Sequence, residues 1–237
     1  MTPEQLAERL KQAMPAGLRA VVLYGSAAAG DHIAGHSDYN VLVVADRLGL
    51  AELNALAPTA VAWERAGNRP PVLFTPKELR ASADAFPIEL LDMQQSRKVL
   101  FGDDLLAEIK VNPEHLRLEL ERELQANLLQ VRERYLLTRG KPRQVVNLLG
   151  SSLSTFLVLF RAVLRLYRAD VPLRKLDALP ALAKEIGFDP QVFLTIHELK
   201  EGRRKPREVA AATLAETYLK TIEQIVAAVD RRLHAQP

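Results

Sequence analysis

The sequence predicts an α+β fold class, in which a small mixed sheet with helices is followed by an all-α helical bundle. Between about residues 18 and 101, short apolar runs alternate with helix-like segments, a pattern typical of layered strands and helices. After the Asn112-Pro113 step, every apolar pattern has helical spacing. We therefore predict two domains of ordinary size, one at residues 1–108 and one at residues 109–237.

The strands of the first domain are predicted from runs rich in β-branched residues that end at glycine or proline. They are predicted at Leu18–Tyr24, Tyr39–Ala45, Pro71–Thr75, Pro87–Met93 and Lys98–Phe101. Amphipathic or apolar spacing predicts helices over Met1–Ala13 and over Leu50–Ala66, which holds the only tryptophan. A short helix is expected to begin at Pro76, because Thr75 is a suitable N-cap and proline is favoured in the first turn.

The second domain is predicted to be an up-and-down bundle, because its helical segments are joined by short loops. The predicted helices are Pro113–Arg139, Pro142–Ala169, Arg174–Ile186, a helix that Asp189 caps before Pro190, and Pro206–His234. The most apolar stretch is Val145–Phe160, which polar residues interrupt. Since it is shorter than the roughly 20 residues of a membrane span, we predict a buried core helix.

The composition excludes several classes of protein. The chain has 237 residues, of which 48% are hydrophobic and 26% charged, as in ordinary globular proteins rather than disordered ones. With no cysteine, it has no disulfide scaffold, thiol nucleophile or Cys-ligated zinc. The net charge of +3 is too close to balance to indicate a nucleic-acid or membrane partner. Since Met1–Ala13 lacks the basic-then-apolar order of a signal peptide, we expect a cytoplasmic protein.

One segment, residues 21–44, carries a pattern that suggests chemistry. A predicted strand ends at Gly25, and a turn of small residues follows that begins with Ser26. A glycine lets the backbone approach a phosphate closely, the serine hydroxyl adds a donor, and the N-terminus of a following helix favours anions. The segment therefore predicts a phosphate-binding turn.

The next predicted strand places polar side chains beside that turn. Because residues two apart on a strand project from the same face, Asp38 and Asn40 are expected to share one face while Tyr39 and Val41 face the core. Oxygen ligands in this arrangement suit Mg²⁺, which also bridges to substrate phosphates.

This pattern resembles the signature of the DNA polymerase beta-like nucleotidyltransferase superfamily. The run 24–26 matches its opening, and the run 38–41 matches its acid–apolar–acid–apolar close, with Asn40 in place of the second acid. The predicted C-terminal bundle is similar to that of antibiotic nucleotidyltransferases such as the kanamycin and streptomycin enzymes. The resemblance implies a nucleotidyltransferase-type sheet and transfer of a nucleoside monophosphate from a nucleoside triphosphate, with Mg²⁺, to a hydroxyl of a small molecule or protein.

The resemblance also implies roles for single residues. Asp38 would be a catalytic metal ligand, and Asn40 would be a weak ligand. Glu89 would be the third ligand or the base, with Asp92 as the alternative. The residues that would hold the triphosphate are Gly25, Ser26 and Ser37.

Asn40 leaves the enzymatic status open. A neutral amide is a poorer ligand than a carboxylate for a hard dication, so we expect weakened transfer. One alternative is a catalytically inactive nucleotide-binding or regulatory protein on the same fold. Another is a nucleic-acid- or partner-binding helical protein, suggested by the basic run at residues 202–207. We expect a nucleoside triphosphate and an acceptor as partners, with a homodimer as one option, and neither nucleic acid nor a membrane.

Overall fold

The chain forms two compact units, Met1–Asn112 and Pro113–Pro237. The structure is a computed structural model that describes residues 1–25, 27–28 and 39–232. The first unit combines a mixed sheet with helices, and the second consists of helices and turns, so the predicted α+β class with a helical second part is confirmed.

The first unit is built on a four-stranded sheet with the order β3-β2-β1-β4. Its strands are β1 (Leu18–Tyr24), β2 (Asn40–Ala45), β3 (Val72–Phe74) and β4 (Arg97–Gly102). The central strand β1 is antiparallel to both β2 and β4, whereas β2 and β3 are parallel. Its helices are α1 (Pro3–Ala13), α2 (Leu50–Arg65), α3 (Pro76–Ala81) and α4 (Pro87–Gln95).

Both faces of this sheet are covered, which explains why β1 and β2 are almost continuously apolar. One face packs against α1 and α2, where the fully buried Trp63 lies with Leu6 and Leu10. The opposite face packs against α3, α4 and the segment that follows β4, through Leu79, Leu90 and other apolar residues. Alternate residues of one strand therefore belong to two separate cores.

The predicted strand Pro87–Met93 is wrong, because these residues form helix α4. Pro87 occupies the first turn, where its fixed φ suits a helix and its missing N–H costs nothing. Pro87, Leu90 and Met93 are buried at intervals of three residues, which is helical spacing. The other predicted strands and helices of this unit are confirmed to within a residue or two at each end.

The second unit contains five long helices among the residues that the structure describes. They are α5 (Pro113–Thr138), α6 (Pro142–Leu164), α7 (Lys175–Ile186), α8 (Gln191–Lys200) and α9 (Ala211–Arg231). Phe156 and Phe160 of α6 meet Phe193 of α8 and Tyr218 of α9 in a cluster of edge-to-face aromatic contacts. The core of this unit therefore forms around α6.

Three predicted helix limits need correction. Helix α6 ends at Leu164 rather than Ala169 and continues as turns, in which the N–H groups of residues 165–167 donate to carbonyls three residues back instead of four. The last helix begins at Ala211, since residues 206–208 form a separate 3-10 turn. Pro190 rather than Asp189 occupies the cap position of α8, although the Asp189 carboxylate accepts the Gln191 N–H at 2.9 Å.

Helix α6 is the helix among the described residues that is long and apolar enough to cross a membrane. In its most apolar window, 61% of the residues are buried inside the structure. The buried residues include Phe156 and Phe160, which point into the aromatic cluster. This burial is what the core helix of a bundle requires, in agreement with the predicted core helix.

Candidate active site

The turn that follows β1 is defined by Gly25. Its φ of 79° lies in the left-handed region that favours glycine. The Gly25 N–H donates to the Ser96 carbonyl at 2.9 Å, and the Gly25 carbonyl accepts the Ala28 N–H at 3.0 Å. The N–H groups of Gly25 and Ala28 therefore already donate hydrogen bonds within the protein. Gly25 contributes its backbone conformation to the turn rather than its own N–H.

Asn40 lies directly beside this turn. It is the first residue of β2 and pairs with Tyr24, the last residue of β1. Cross-strand partners lie on the same face of a sheet, so Tyr24 and Asn40 share the face that packs against α4. A Cβ added to Gly25 would stand 3.2 Å from Asn40 Nδ2. The strand pairing thus brings the turn next to Asn40, the residue that stands in place of the second acid of the predicted motif.

The other face of β2 is apolar, as predicted. Tyr39 and Val41 belong to the core that faces α1 and α2. The Tyr39 ring centroid lies 5.9 Å from that of Trp63. The Trp63 Nε1–H donates to the Arg69 carbonyl at 2.9 Å. The only tryptophan of the chain is therefore linked by ring contact to the residue that precedes Asn40.

Glu89 reaches the same face of the sheet from α4 rather than from a strand. Its side chain is exposed, while its neighbours Ile88 and Leu90 are buried. The pKa of the Tyr24 hydroxyl is raised, first by burial and then by the negative charge of Glu89. Asp92 lies one helical turn further along α4. The carboxylate proposed as base therefore acts electrostatically on the residue before Gly25.

Arg69 is a candidate site residue that the sequence analysis missed. Its positive charge lowers the pKa of Tyr24 and so opposes the effects of burial and of Glu89. The residue stands in the loop after α2, and its carbonyl is fixed by the Trp63 indole. No local sequence signal marks it, because only the tertiary structure brings this loop near the end of β1.

The strand on the other side of β1 is anchored by an ion pair. The Arg97 guanidinium binds the Asp104 carboxylate through two nitrogens, at 2.9 and 2.7 Å, and also donates to the Gln94 carbonyl. Gln94 Nε2 in turn donates to the Leu106 and Ile109 carbonyls. Because Ser96 precedes Arg97, this network fixes the carbonyl that holds the Gly25 amide.

Three predicted site residues, Ser26, Ser37 and Asp38, lie outside the described residues, so their roles stay predictions. Within residues 1–25, 27–28 and 39–232, no group of three or more His, Asp or Glu side chains could hold a metal. Asn40 offers an amide oxygen and Glu89 a single carboxylate, whereas Mg²⁺ is usually held by carboxylates together with substrate phosphates. The described side chains alone therefore do not fit a magnesium pair.

The basic run at residues 202–207 is partly neutralised. Arg204 Nε lies 3.2 Å from the Glu198 carboxylate. The Lys205 N–H donates to the Glu208 carboxylate at 3.4 Å, which caps the 3-10 turn. These local contacts give the run a structural role at the junction between α8 and α9.

No family model and no curated protein sequence matches the chain. Among solved structures, it is similar to the spectinomycin adenyltransferase AAD(9) from Enterococcus faecialis, whose structure contains ATP and spectinomycin. The two chains are 13% identical, the match covers 98% of each, and the TM-score is 0.49. The ATP and spectinomycin are ligands of that protein.

Proposed function

We propose that the first unit binds a nucleoside triphosphate at the turn after β1, as a protein of the nucleotidyltransferase type whose transfer activity is weakened by Asn40. The observation that carries this proposal is the pairing of Tyr24 with Asn40 beside the left-handed Gly25, with the charge of Glu89 acting on Tyr24. A glycine turn between two buried strands supplies the close backbone approach that a triphosphate needs.

Each part of the triphosphate has a proposed partner. Gly25 shapes the turn, and the hydroxyls of Ser26 and Ser37 are the proposed donors to phosphate oxygens. Arg69 offsets negative charge at the same end of the sheet, where its own charge already acts on Tyr24. Mg²⁺ is part of the proposal through Asp38, with Asn40 as a weak ligand and Glu89 as a third candidate.

In the proposed transfer, the acceptor hydroxyl oxygen attacks the α-phosphorus of the nucleotide. The bond from that phosphorus to the bridging oxygen breaks, and pyrophosphate leaves with the electron pair. The hydroxyl proton passes to the Glu89 carboxylate, which is exposed and free of the burial that would hinder access by an acceptor. Positioning and charge neutralisation supply most of the rate enhancement in such reactions.

A second candidate function is nucleotide binding without transfer, and Asn40 is the observation that favours it. An Asn in place of an Asp removes one negative charge beside the phosphates and one strong ligand for a dication. The turn at Gly25 and the pairing of β1 with β2 are present with Asn at position 40. The missing charge therefore weakens transfer of the nucleotide without removing the turn that is proposed to bind it. We expect transfer by the natural chain to be weak or absent.

Nucleotide binding is tested first, by titrating the chain with ATP, with and without Mg²⁺, in a calorimeter. Arg69→Gln is expected to weaken binding about tenfold, as loss of a charged partner does. Arg65→Gln removes the same charge from the exposed end of α2 and is the matched control. If the natural chain shows no ATP binding at millimolar concentration, both the transfer and the binding functions are refuted.

Transfer is tested next with α-labelled ATP, using kanamycin, streptomycin and the protein itself as acceptors. Asn40→Asp is expected to raise the rate, and Glu89→Gln in that background is expected to lower it again. Asp84→Asn, at an exposed carboxylate after α3, is the control for loss of charge. Robust transfer by the natural chain that neither Asn40→Asp nor Asp38→Ala changes would refute this account of the site.

A further inference from the structure

Helices α5 and α6 form a polar pocket of about 200 Å³ in the second unit. Its polar wall consists of Asn127, Gln130, Arg134, Ser151, Ser152 and Thr155. No acidic residue lines it, and one residue of the wall is cationic. Pockets that bind drug-sized ligands have volumes of roughly 300–1,000 Å³, so this smaller pocket suits a small polar ligand, and its charge favours an anion.

Arg134 is the cation of this pocket, and it differs from the other arginines of α5. The other three form ion pairs: Arg117 with Glu121 at 2.7 Å, Arg122 with Glu123 at 2.6 Å, and Arg132 with Glu223 at 2.7 Å. Arg134 has no ion pair with any residue in the described part of the chain. A guanidinium without a carboxylate partner that borders a pocket is suited to bind an oxyanion.

Two further donors face the pocket. Neither the Gln130 amide nor the Thr155 hydroxyl forms a hydrogen bond with another described residue. Together with Arg134 they present a guanidinium, an amide and a hydroxyl across about one turn of each helix. Donors of these three kinds match the several oxygens of a tetrahedral anion.

The serines of α6 present acceptors rather than donors. The Ser151 hydroxyl donates to the Leu148 carbonyl at 2.8 Å, and the Ser152 hydroxyl donates to the Leu149 carbonyl at 3.0 Å. Tyr218, which is fully buried, has its hydroxyl 2.9 Å from Ser152 Oγ. Because the Ser152 proton is already committed, Tyr218 is the donor there. These oxygens can accept a hydrogen bond from a ligand O–H.

We propose that this pocket binds inorganic phosphate. Near neutral pH, phosphate carries negative charge for Arg134, oxygens for Gln130 and Thr155, and an O–H for the serine oxygens. Sulfate has the same shape and charge sign but no O–H, and a phosphate monoester exposes fewer oxygens. The pocket therefore prefers free phosphate over sulfate and over ribose 5-phosphate. This binding is independent of the nucleotide site in the first unit.

The test is a titration of the ¹⁵N-labelled full chain with sodium phosphate at constant ionic strength, followed by NMR. Amide shifts are expected at residues 127–134 and 148–155. Arg134→Gln is expected to weaken binding about ten- to hundredfold, the range for loss of a charged hydrogen-bond donor. Arg122→Gln, which removes the same charge from α5 outside the pocket, is expected to leave it unchanged.

Parallel titrations with sulfate and ribose 5-phosphate distinguish the sources of the anion. Weaker binding of both supports free phosphate as the ligand. Equal binding of phosphate by Arg134→Gln and by the natural chain would overturn the proposal. Amide shifts confined to residues outside 127–134 and 148–155 would overturn it as well. The absence of saturable phosphate binding by the natural chain would also overturn it. Thermal stabilisation by phosphate would not test the proposal, because phosphate and sulfate stabilise most folded proteins by exclusion from their surfaces.

Discussion

The side-chain nitrogen of Asn40 lies 3.2 Å from the position that a Cβ on Gly25 would occupy. The glycine is therefore needed at this turn for two separate reasons. Its φ of 79° is strained for any residue with a Cβ, and its missing Cβ leaves room for the Asn40 amide.

Gly25→Ala is expected to destabilise the chain by about 1–3 kcal/mol, the cost of left-handed strain with a small steric term. It is also expected to weaken ATP binding more than its effect on stability would explain, because the new methyl displaces Asn40 from the turn. The measurements are urea unfolding followed by Trp63 fluorescence and calorimetry with ATP.

Gly187→Ala is the control for this variant, because Gly67, whose φ is 88°, lies two residues from Arg69. Gly187 has a φ of 83°, and a Cβ there, as at Gly67, would meet no atom within 4 Å. The strain is thus reproduced without the steric contact, and ATP binding is expected to stay at the natural level. Equal loss of ATP binding in both variants would contradict the role given to the contact between Gly25 and Asn40.

Gly102→Ala is expected to be far more destabilising. A Cβ there would lie 1.8 Å from the Arg19 carbonyl oxygen, and Gly102 also has a φ of 75°. Because the clashing atom belongs to the backbone of β1, the pairing of Ala20 with Gly102 must shift. We expect a loss of about 3–5 kcal/mol from steric overlap and backbone strain together. Urea unfolding measures it, and an effect no larger than that of Gly187→Ala would contradict the close approach of the two strands.

The contrast between β1 and α4 shows where sequence patterns suffice. Strand β1 lies between two glycines, and its β-branched residues are buried on both faces, so its limits follow from the sequence alone. The apolar residues of the segment 87–95 fit both the two-residue alternation of a strand and the three- to four-residue spacing of a helix. Its conformation depends on Leu90 and Met93 meeting the sheet, which is a long-range contact.

The candidate site divides in the same way. The strand that ends at Tyr24 and the strand that begins near Asn40 follow from apolar runs in the sequence, whereas the antiparallel pairing that sets these two residues opposite each other is a finding of the structure. The positions of Glu89 and Arg69 do not follow from local patterns. One stands on a helix that was predicted as a strand, and the other on a loop held by the Trp63 indole.

The hydrogen bond between Tyr218 and Ser152 predicts an asymmetry between two variants. Tyr218→Phe removes the donor, while Ser152 keeps its bond to the Leu149 carbonyl, so a loss of about 1 kcal/mol is expected. Ser152→Ala leaves the fully buried Tyr218 hydroxyl without this acceptor and is expected to cost about 1–3 kcal/mol. Urea unfolding followed by far-UV circular dichroism compares them. A larger cost for Tyr218→Phe would contradict the assigned direction of the bond.

Tyr218 also predicts a dependence of stability on alkaline pH. Burial raises the pKa of its hydroxyl far above the usual value, while the hydrogen bond with Ser152 opposes this effect only in part. In the unfolded chain a tyrosine ionises near pH ~10. Above that pH the unfolded state binds fewer protons than the folded state, so the free energy of unfolding falls as pH rises.

The contribution of Tyr218 is isolated by comparing the natural chain with Tyr218→Phe between about pH 9 and pH 11.5, around the unfolded tyrosine pKa. The difference in unfolding free energy is expected to be constant below the lower end of this range. Above about pH 10 the natural chain should lose up to about 1.4 kcal/mol more per pH unit than the variant, the limit for one proton. Tyr24 and Tyr167, whose pKa values are also raised by burial, contribute to both chains and cancel in the difference. Parallel pH profiles for the two chains would show that the Tyr218 hydroxyl ionises as readily in the folded state as in the unfolded one, in conflict with its burial between Phe156 and Phe193.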